Sequence, residues 1–513
     1  MTTTSSNRRF SFTDIEFQRD GPPRYEQLSQ FIKAAIHEGR LRAGDRLPPL
    51  RQMAVDLGIS VTTVAATFNH LSEQKLVRSE VGRGTFVTTI APSPTLAERV
   101  DAWSTDRPPV RDFTSRPWRR RALMNEGTKL RSRYPDALDC STGRPDVTLL
   151  PLRLLQQAGT AAWQEAKPAD LQYAGPEVLD MLAAPLVSLL QDGGLNVRAD
   201  DLLIGSSAQQ WMMLALEATA RISGSDRPIV ALEEPGYPTV MDAYERAGAT
   251  LVPVAVDRDG AVPESLDAAF RSGATMALLT PRGHNPTGAT WSPERRTALA
   301  AVMADHPQAL TVEDDQFADG SLTRPGSLLN DDLAGDRVIY VRSFSKLLAP
   351  DLRVAVAAAR PRLRALLAEC KSFADGWTSR LLQRTLAFAL TNPDLPGLVS
   401  HAANQYSQRR AQAAIAINSI LEAHGGSTWC GPDGLNLWVC LPQNADATEV
   451  AERSAAAGVR IALGEPFFLR PGRTNVVRFG AGSVPTDSAF DAGRILGEAV
   501  LASRSEHHGL IHV

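Results

Sequence analysis

The stretch Val338-Ile339-Tyr340-Val341-Arg342-Ser343-Phe344-Ser345-Lys346-Leu347-Leu348-Ala349-Pro350-Asp351-Leu352-Arg353 decides the fold. Its first four residues are β-branched and aromatic, and they read as a buried strand. The strand runs into a lysine bracketed by serines, with an arginine seven positions further on. Shorter apolar runs precede it: Leu202-Leu203-Ile204, Ile229-Val230-Ala231-Leu232 and Met276-Ala277-Leu278-Leu279. Helix-length segments separate them. Strands alternating with helices predict an α/β domain with a mainly parallel sheet, covered on both faces.

Polar residues cluster where these strands end. Asp314 closes Val312-Glu313-Asp314, with Asp315 beside it, and Asn285 stands in His284-Asn285-Pro286-Thr287-Gly288. Tyr237 stands in Glu234-Pro235-Gly236-Tyr237-Pro238, and Ala208 and Gln209 follow Gly205-Ser206-Ser207. Tyr173 follows Leu171-Gln172, and Arg478 sits in Val476-Val477-Arg478-Phe479-Gly480. Singly, each has a structural reading: Tyr237 as a core aromatic, Asn285 as a turn residue before proline, Arg478 as an ion-pair partner. Taken singly, most favour that structural reading, and it is their ordered match to a known family that reverses it.

The first 90 residues have a different grammar. Tyr25 to Glu38 has helical periodicity, with Leu28, Phe31, Ile32, Ala35 and Ile36 on one face. A second helix is expected to run to Leu57, before Gly58. A third, capped by Ser60, runs to about Gln74. Leu76–Ser79 and Thr85–Thr88 read as two strands closed by Gly82-Arg83-Gly84.

This segment resembles the GntR-type winged helix-turn-helix. The resemblance rests on Gly44-Asp45-Arg46-Leu47-Pro48-Pro49-Leu50-Arg51-Gln52-Met53-Ala54, Ser60-Val61-Thr62-Thr63-Val64 and Val81-Gly82-Arg83-Gly84-Thr85-Phe86-Val87. It implies a recognition helix that offers Thr62 and Thr63 to double-stranded DNA. Arg51 would hold a backbone phosphate, and Arg83 and Gly84 would form a wing at the minor groove. Val61 stands where the family has an arginine, so bidentate guanine readout is missing there; the alternatives are an apolar contact to a thymine methyl or a head that has lost tight DNA binding.

Residues from Cys140 onward resemble the fold-type-I aminotransferases. With the head, the whole chain is similar to the MocR/GabR group of regulators. The resemblance implies pyridoxal 5'-phosphate (PLP), with Lys346 as the Schiff-base amine and catalytic residue. Asp314, preferred to Asp315, would face the pyridine nitrogen, Asn285 the phenolic oxygen, and Tyr237 the ring. Ala208, Gln209, Ser343 and Arg353 would hold the phosphate, with Tyr173 reaching across a dimer interface. Arg478 would clamp the carboxylate of an amino acid. Two departures stand out. Gln316 and Phe317 occupy the places where the family often has a tyrosine, and Asn285 is enzyme-like where many MocR-type regulators have an aromatic.

The resulting expectation is a PLP-dependent DNA-binding transcriptional regulator that senses an amino compound, or PLP itself, through Lys346. The alternative is an active aminotransferase with a DNA-binding head, so enzymatic turnover stays open. The expected organisation is a flexible arm at 1–22, the winged head at 23–90, a linker at 91–136 and the PLP-binding domain at 137–513. A small C-terminal α+β subdomain is expected from about 395. The linker would hold a short helix near 96–103, and Arg119-Arg120-Arg121 reads as a solvated charge run. As a random coil, the linker would span roughly 35–40 Å. That reach permits a head-to-tail homodimer.

Composition agrees with a two-part chain. Of its 513 residues, 43% are hydrophobic and 22% charged, as in globular proteins. Residues 1–121 hold 19 basic and 13 acidic side chains, and the remainder carries a net charge of -9. A basic head on an acidic body suits a head that meets phosphate. No signal sequence or membrane span is expected, and the four cysteines lack metal-ligand spacing. The expectation is a cytoplasmic protein with reduced, mostly buried thiols and no metal site.

Overall fold

The computed structural model describes residues 12–15, 17–18, 21–37, 40–41, 44–73, 76–80, 83–88, 118–318, 323–346, 348–472 and 475–509. They fall into two compact units, divided between Arg111 and Asp112.

The first unit holds helices Arg24–His37, Leu50–Leu57 and Val61–Glu73, then strands β1 (Val77–Glu80) and β2 (Gly84–Val87), paired antiparallel. Leu28, Ile32, Met53, Val64, Leu71 and Val87 meet in its core. Gly58 ends the second helix at φ 61°, a left-handed conformation that suits glycine. Ser60 Oγ then accepts from the Thr63 amide at 3.0 Å and starts the third. Gly44 and Leu47 donate backbone hydrogen bonds to Val87 and Thr85, which ties the turn before the second helix to the wing.

One expectation fails here. Within the supposed flexible arm, Phe12–Asp14 forms a 3-10 turn, and Phe12, Ile15 and Phe17 pack against the core of the unit. Three apolar side chains near a small core gain more from burial than the backbone loses in entropy. The helix expected near 96–103 lies outside the described residues.

The second unit opens with helix Arg119–Arg133 and strand β3 (Leu138–Cys140). Its main sheet comprises β4 (Leu202–Gly205), β5 (Ile229–Glu234), β6 (Thr250–Asp257), β7 (Gly260–Ala261), β8 (Met276–Leu279), β9 (Leu310–Asp315), β10 (Val338–Ser343) and β11 (Ala355–Ala358). The order is β4-β11-β10-β9-β8-β5-β6-β7. The run β10-β9-β8-β5-β6 is parallel, and β11 is antiparallel to both neighbours. Alternation along the strands divides the core. Ile204, Ala277, Leu279 and Tyr340 join one cluster, while Leu203, Leu278, Val312 and Val341 join another.

A second sheet, order β12-β13-β15-β14-β3, contains β12 (Ser427–Trp429), β13 (Asn436–Cys440), β14 (Val459–Leu463) and β15 (Val476–Gly480). Helices Leu395–Leu421 and Ala489–Gly509 cover it through Ile417, Leu421 and Leu496. The expected start near 395 is therefore incomplete: β3 pairs parallel to β14 and Leu130 joins this core, so 119–140 belongs here too.

The linker assignment also fails over 119–133. Arg119, placed in a solvated run, is fully buried. It donates to Asp242 at 3.1 Å, Glu245 at 2.8 Å, and the Phe468 and Leu469 carbonyls at 2.8 and 2.6 Å. Two carboxylates and two carbonyls supply the acceptors that a buried guanidinium requires. Cys140 and Cys370 are buried thiols, but Cys430 is exposed. No helix among the described residues is long and apolar enough to cross a membrane.

Candidate active site and nucleic-acid interface

The crevice lies at the carboxyl ends of the parallel strands, where α/β sheets place ligands. β5 leads to Tyr237, β8 to Asn285, β9 ends at Asp314–Asp315, and β10 runs through Ser343 to Lys346. A cavity of about 190 Å³ is lined by Lys346, Asn285, Tyr237, Arg478, Gln316 and Phe317, among others. The structure thus brings together four of the expected site residues, Tyr237, Asn285, Lys346 and Arg478, which lie far apart in sequence.

Lys346 Nζ donates to the Gly143 carbonyl at 2.8 Å. Burial pushes its ammonium down to about 8; Arg478 and Arg144 add to the shift and Asp314 opposes it. Asp314 is driven the other way, up to about 7, first by burial, then by Asp315 and Glu233, against the pull of Lys346. Asp314 Oδ1 is buried without a hydrogen-bond partner. An orphaned buried carboxylate oxygen costs free energy unless a ligand donor meets it.

The preference for Asp314 over Asp315 has a geometric counterpart. Asp315 is taken up by Arg282 at 2.9 Å and the Tyr340 hydroxyl at 2.7 Å. Successive residues of a strand point to opposite faces, so only one of the pair turns toward Lys346.

Arg478 is buried and its guanidinium is pushed down to about 10, chiefly by burial. It donates to Asn285 Oδ1 at 3.1 Å and to the Ser141 carbonyl at 2.6 Å, over the Phe467 ring. Because Asn285 Oδ1 accepts from Arg478, its amide nitrogen is turned away from Arg478 as a remaining donor. Tyr237 is 40% exposed at the start of helix Pro238–Arg246.

The residues expected to hold a phosphate, Ala208, Gln209, Ser343 and Arg353, are not among those lining this cavity. Ala208 and Gln209 open helix Ala208–Ser223, whose cap Ser207 accepts from the Gln210 amide. Their own amides lie in the first turn, where no intrahelical acceptor exists. Ser343 Oγ lies 3.0 Å from Ser345 Oγ. Arg353 is exposed, at φ 51°, a strained setting for a side-chain-bearing residue. Tyr173 does not join the cavity; it is 88% exposed, edge-on to Trp377 at 5.4 Å.

Sequence reasoning missed Gly143 and Arg144, which line the cavity, and Asn436, whose amide reaches Asn285 Oδ1 at 3.4 Å. The Gly143-Arg144-Pro145-Asp146 segment, two residues after β3, was the available signal. Also missed was the buried pair of His284 and Glu233 at 3.3 Å, with His284 Nδ1 2.8 Å from Thr287 Oγ1.

In the first unit, Arg51 and Thr62 are exposed at the starts of the second and third helices, and Val61 is 44% exposed. Thr62 and Thr63 hydroxyls lie 2.7 and 2.8 Å from Ser60 Oγ. Arg83 is exposed beside Gly84 at the wing.

Comparisons with known proteins agree with this two-part picture. Residues 24–87 match the family described as bacterial regulatory proteins, gntR family, and residues 142–479 match aminotransferase class I and II. The vitamin B6 salvage pathway transcriptional repressor PtsJ of Salmonella typhimurium is 29% identical over 444 residues, covering 86% of this chain and 90% of that protein. The probable rhizopine catabolism regulatory protein MocR of Rhizobium meliloti is 30% identical over 370 residues, 71% of each chain. Among solved structures, the α-aminoadipate aminotransferase LysN of Thermus thermophilus aligns with a TM-score of 0.65 at 23% identity, covering 75% of this chain and 95% of that one.

Proposed function

The chain belongs to the MocR-type group of GntR-family transcriptional regulators, a winged helix-turn-helix head joined to an aminotransferase class I and II domain, and from that premise we propose that it binds PLP at Lys346 and reads an amino compound there to control DNA binding. The observation that carries this reading is that Lys346, Asn285 and Arg478 line one cavity, with the orphaned Asp314 carboxylate close enough to Lys346 for each charge to act on the other.

When bound, PLP supplies an aldehyde that captures amines and a ring that withdraws electrons. The residues of this chain do the holding. Lys346 offers an amine that is largely neutral above pH 8. Asp314 offers its unpartnered oxygen to the ring nitrogen, and its raised affinity for a proton lets one proton be shared there. Asn285, turned by Arg478, keeps an amide donor for the phenolic oxygen. Tyr237 covers the ring. The Ala208 and Gln209 amides, Ser343 and Arg353 form the phosphate set, with Tyr173 of the partner subunit in a homodimer. Arg478 has the planar fork that a carboxylate fits.

In the head, Arg51, Thr62, Thr63, Arg83 and Gly84 meet an operator whose paired half-sites suit a dimer. Ligand states that favour different head arrangements then change DNA affinity by their differential binding. The family is one of bacterial regulatory proteins, whose DNA lies in the cytoplasm, and we place its action there.

Absorbance spectra with PLP, before and after an amino-acid panel and beside Lys346→Ala, test this. A visible band that depends on Lys346, and whose shift alters operator affinity, is expected. No such band refutes the cofactor assignment. The hydrogen-bonded Asn285–Arg478 pair also favours a second reading, an aminotransferase with a DNA-binding head. Multiple turnovers with a keto acid would establish it.

A further inference from the structure

The run Arg119-Arg120-Arg121 has one member accounted for, the buried Arg119. Arg120 leads elsewhere. A second cavity, of about 490 Å³, lies between helix Arg119–Arg133, the turn 141–144 and the strand β14. It shares Gly143, Arg144 and Arg478 with the Lys346 cavity, so the two are adjoining chambers. Arg478 stands at their junction.

The walls of this vestibule combine apolar surface with positive charge. Leu123, Ile461 and Leu463 form the apolar part. Arg120, Arg131 and Arg144 ring it, against the single carboxylate of Glu126. Arg131 is engaged by Asp139 at 3.2 Å, and Glu126 lies 3.8 Å from Lys129. The guanidinium groups of Arg120 and Arg144 have no hydrogen-bond or ion-pair partner among the described residues; only the Arg120 amide is engaged, by Asp242. Arg144 is close enough to Lys346 to act on its charge.

We propose that the effector is an amino acid with a second acidic group at the far end of its side chain, received in this vestibule by Arg144 and Arg120. The proposal rests on the PLP reading of the Lys346 cavity. With the α-carboxylate on Arg478, the side chain can pass into the adjoining chamber by the shared residues Gly143 and Arg144, along Leu123 and Leu463. Methylene groups suit that wall, and a terminal carboxylate meets two guanidiniums beyond it. Charge-assisted hydrogen bonds to a carboxylate are the strong kind, and a neutral side chain forgoes them. Preference therefore comes from the pair of arginines rather than from exclusion.

The test titrates the PLP-loaded full-length protein by visible absorbance. L-Aspartate, L-glutamate and L-2-aminoadipate are compared with L-asparagine, L-glutamine and L-norleucine. At least one diacid is expected to bind about tenfold or more tightly than its neutral counterpart. Arg144→Gln and Arg120→Gln are each expected to shrink that ratio, and together to abolish it. Neutral amino acids binding as well as the diacids, or a preference that survives the double substitution, overturns the proposal. Absence of any Lys346-dependent band would overturn the PLP reading and this inference with it. That failure is distinguishable, because it appears before any amino acid is added.

Discussion

The Arg478 guanidinium donates to Asn285 Oδ1 at 3.1 Å, joining the residue that suits a ligand carboxylate to the one that suits the cofactor. A carboxylate arriving at Arg478 competes with this bond and with the one to the Ser141 carbonyl. Lysine keeps the charge but loses the planar fork. Arg478→Lys is therefore expected to weaken amino-acid binding to the PLP-loaded protein by about 10–100-fold, since bidentate geometry contributes on the order of 1.5–3 kcal/mol. Absorbance titration measures it. Unchanged affinity would remove Arg478 from the ligand's path.

Lys346 gives a pH signature. Burial lowers its ammonium to about 8, with Arg478 and Arg144 adding to the effect. Only the neutral amine attacks a carbonyl. The rate of PLP loading should rise about tenfold per pH unit below 8 and level off above it. Stopped-flow absorbance between pH 6 and 10 reads this. A rise that continues to pH 10 would mean an ordinary solvated lysine.

Much of this site was legible because strand ends carry it. Asp314 and Ser343 each follow a mainly apolar run after one charged residue, Glu313 or Arg342, and Lys346 comes three residues after Ser343, so position along the strand locates them. Helix Arg119–Arg133 was not legible. Its sequence has few apolar residues, and its docking depends on Asp242 and Glu245, more than a hundred residues away. The same holds for β3, a three-residue strand that only its parallel pairing with β14 identifies. Phe12, Ile15 and Phe17 were read as an arm because polar neighbours dilute them.

Asp314 links the site to stability. Its folded carboxyl is raised to about 7 from an unfolded value of 3.8. A raised carboxyl favours the fold below the unfolded value, and that contribution is lost as pH rises through 7. Asp314→Asn removes the buried charge and should stabilise the PLP-free protein at pH 8 by up to about 4 kcal/mol, with little effect at pH 4. Thermal unfolding at several pH values checks the trend. A stability gap independent of pH would show that Asp314 titrates normally.

Arg119 predicts the opposite kind of change. It is fully buried and serves Asp242, Glu245 and two carbonyls. Arg119→Met leaves the buried Asp242 carboxylate with the Arg120 amide but without its guanidinium, and breaking such a pair costs about 3–5 kcal/mol. Chemical denaturation should show that loss in the large unit, with helix 119–133 more open to amide exchange. Wild-type exchange in this helix would mean that packing of Leu123 and Leu130 holds it without the ion pair.

Gly84 sets the wing of the DNA-binding unit. Its φ is 119°, and a Cβ there would lie 2.6 Å from Arg46 Nε. The backbone conformation disfavours any side chain, and the Arg46 guanidinium would have to move aside for one. The Arg46 backbone is bridged to Phe86 of β2, but its guanidinium can swing aside, so the positive φ carries most of the cost. Gly84→Ala is therefore expected to destabilise this unit by about 1–3 kcal/mol. It should also weaken operator binding at constant salt, while PLP loading at Lys346 stays as in the wild type. Gel-shift titration and the Lys346 absorbance band, measured on the same preparation, separate the two effects. Undiminished DNA affinity would show that the wing makes no contact that depends on its shape.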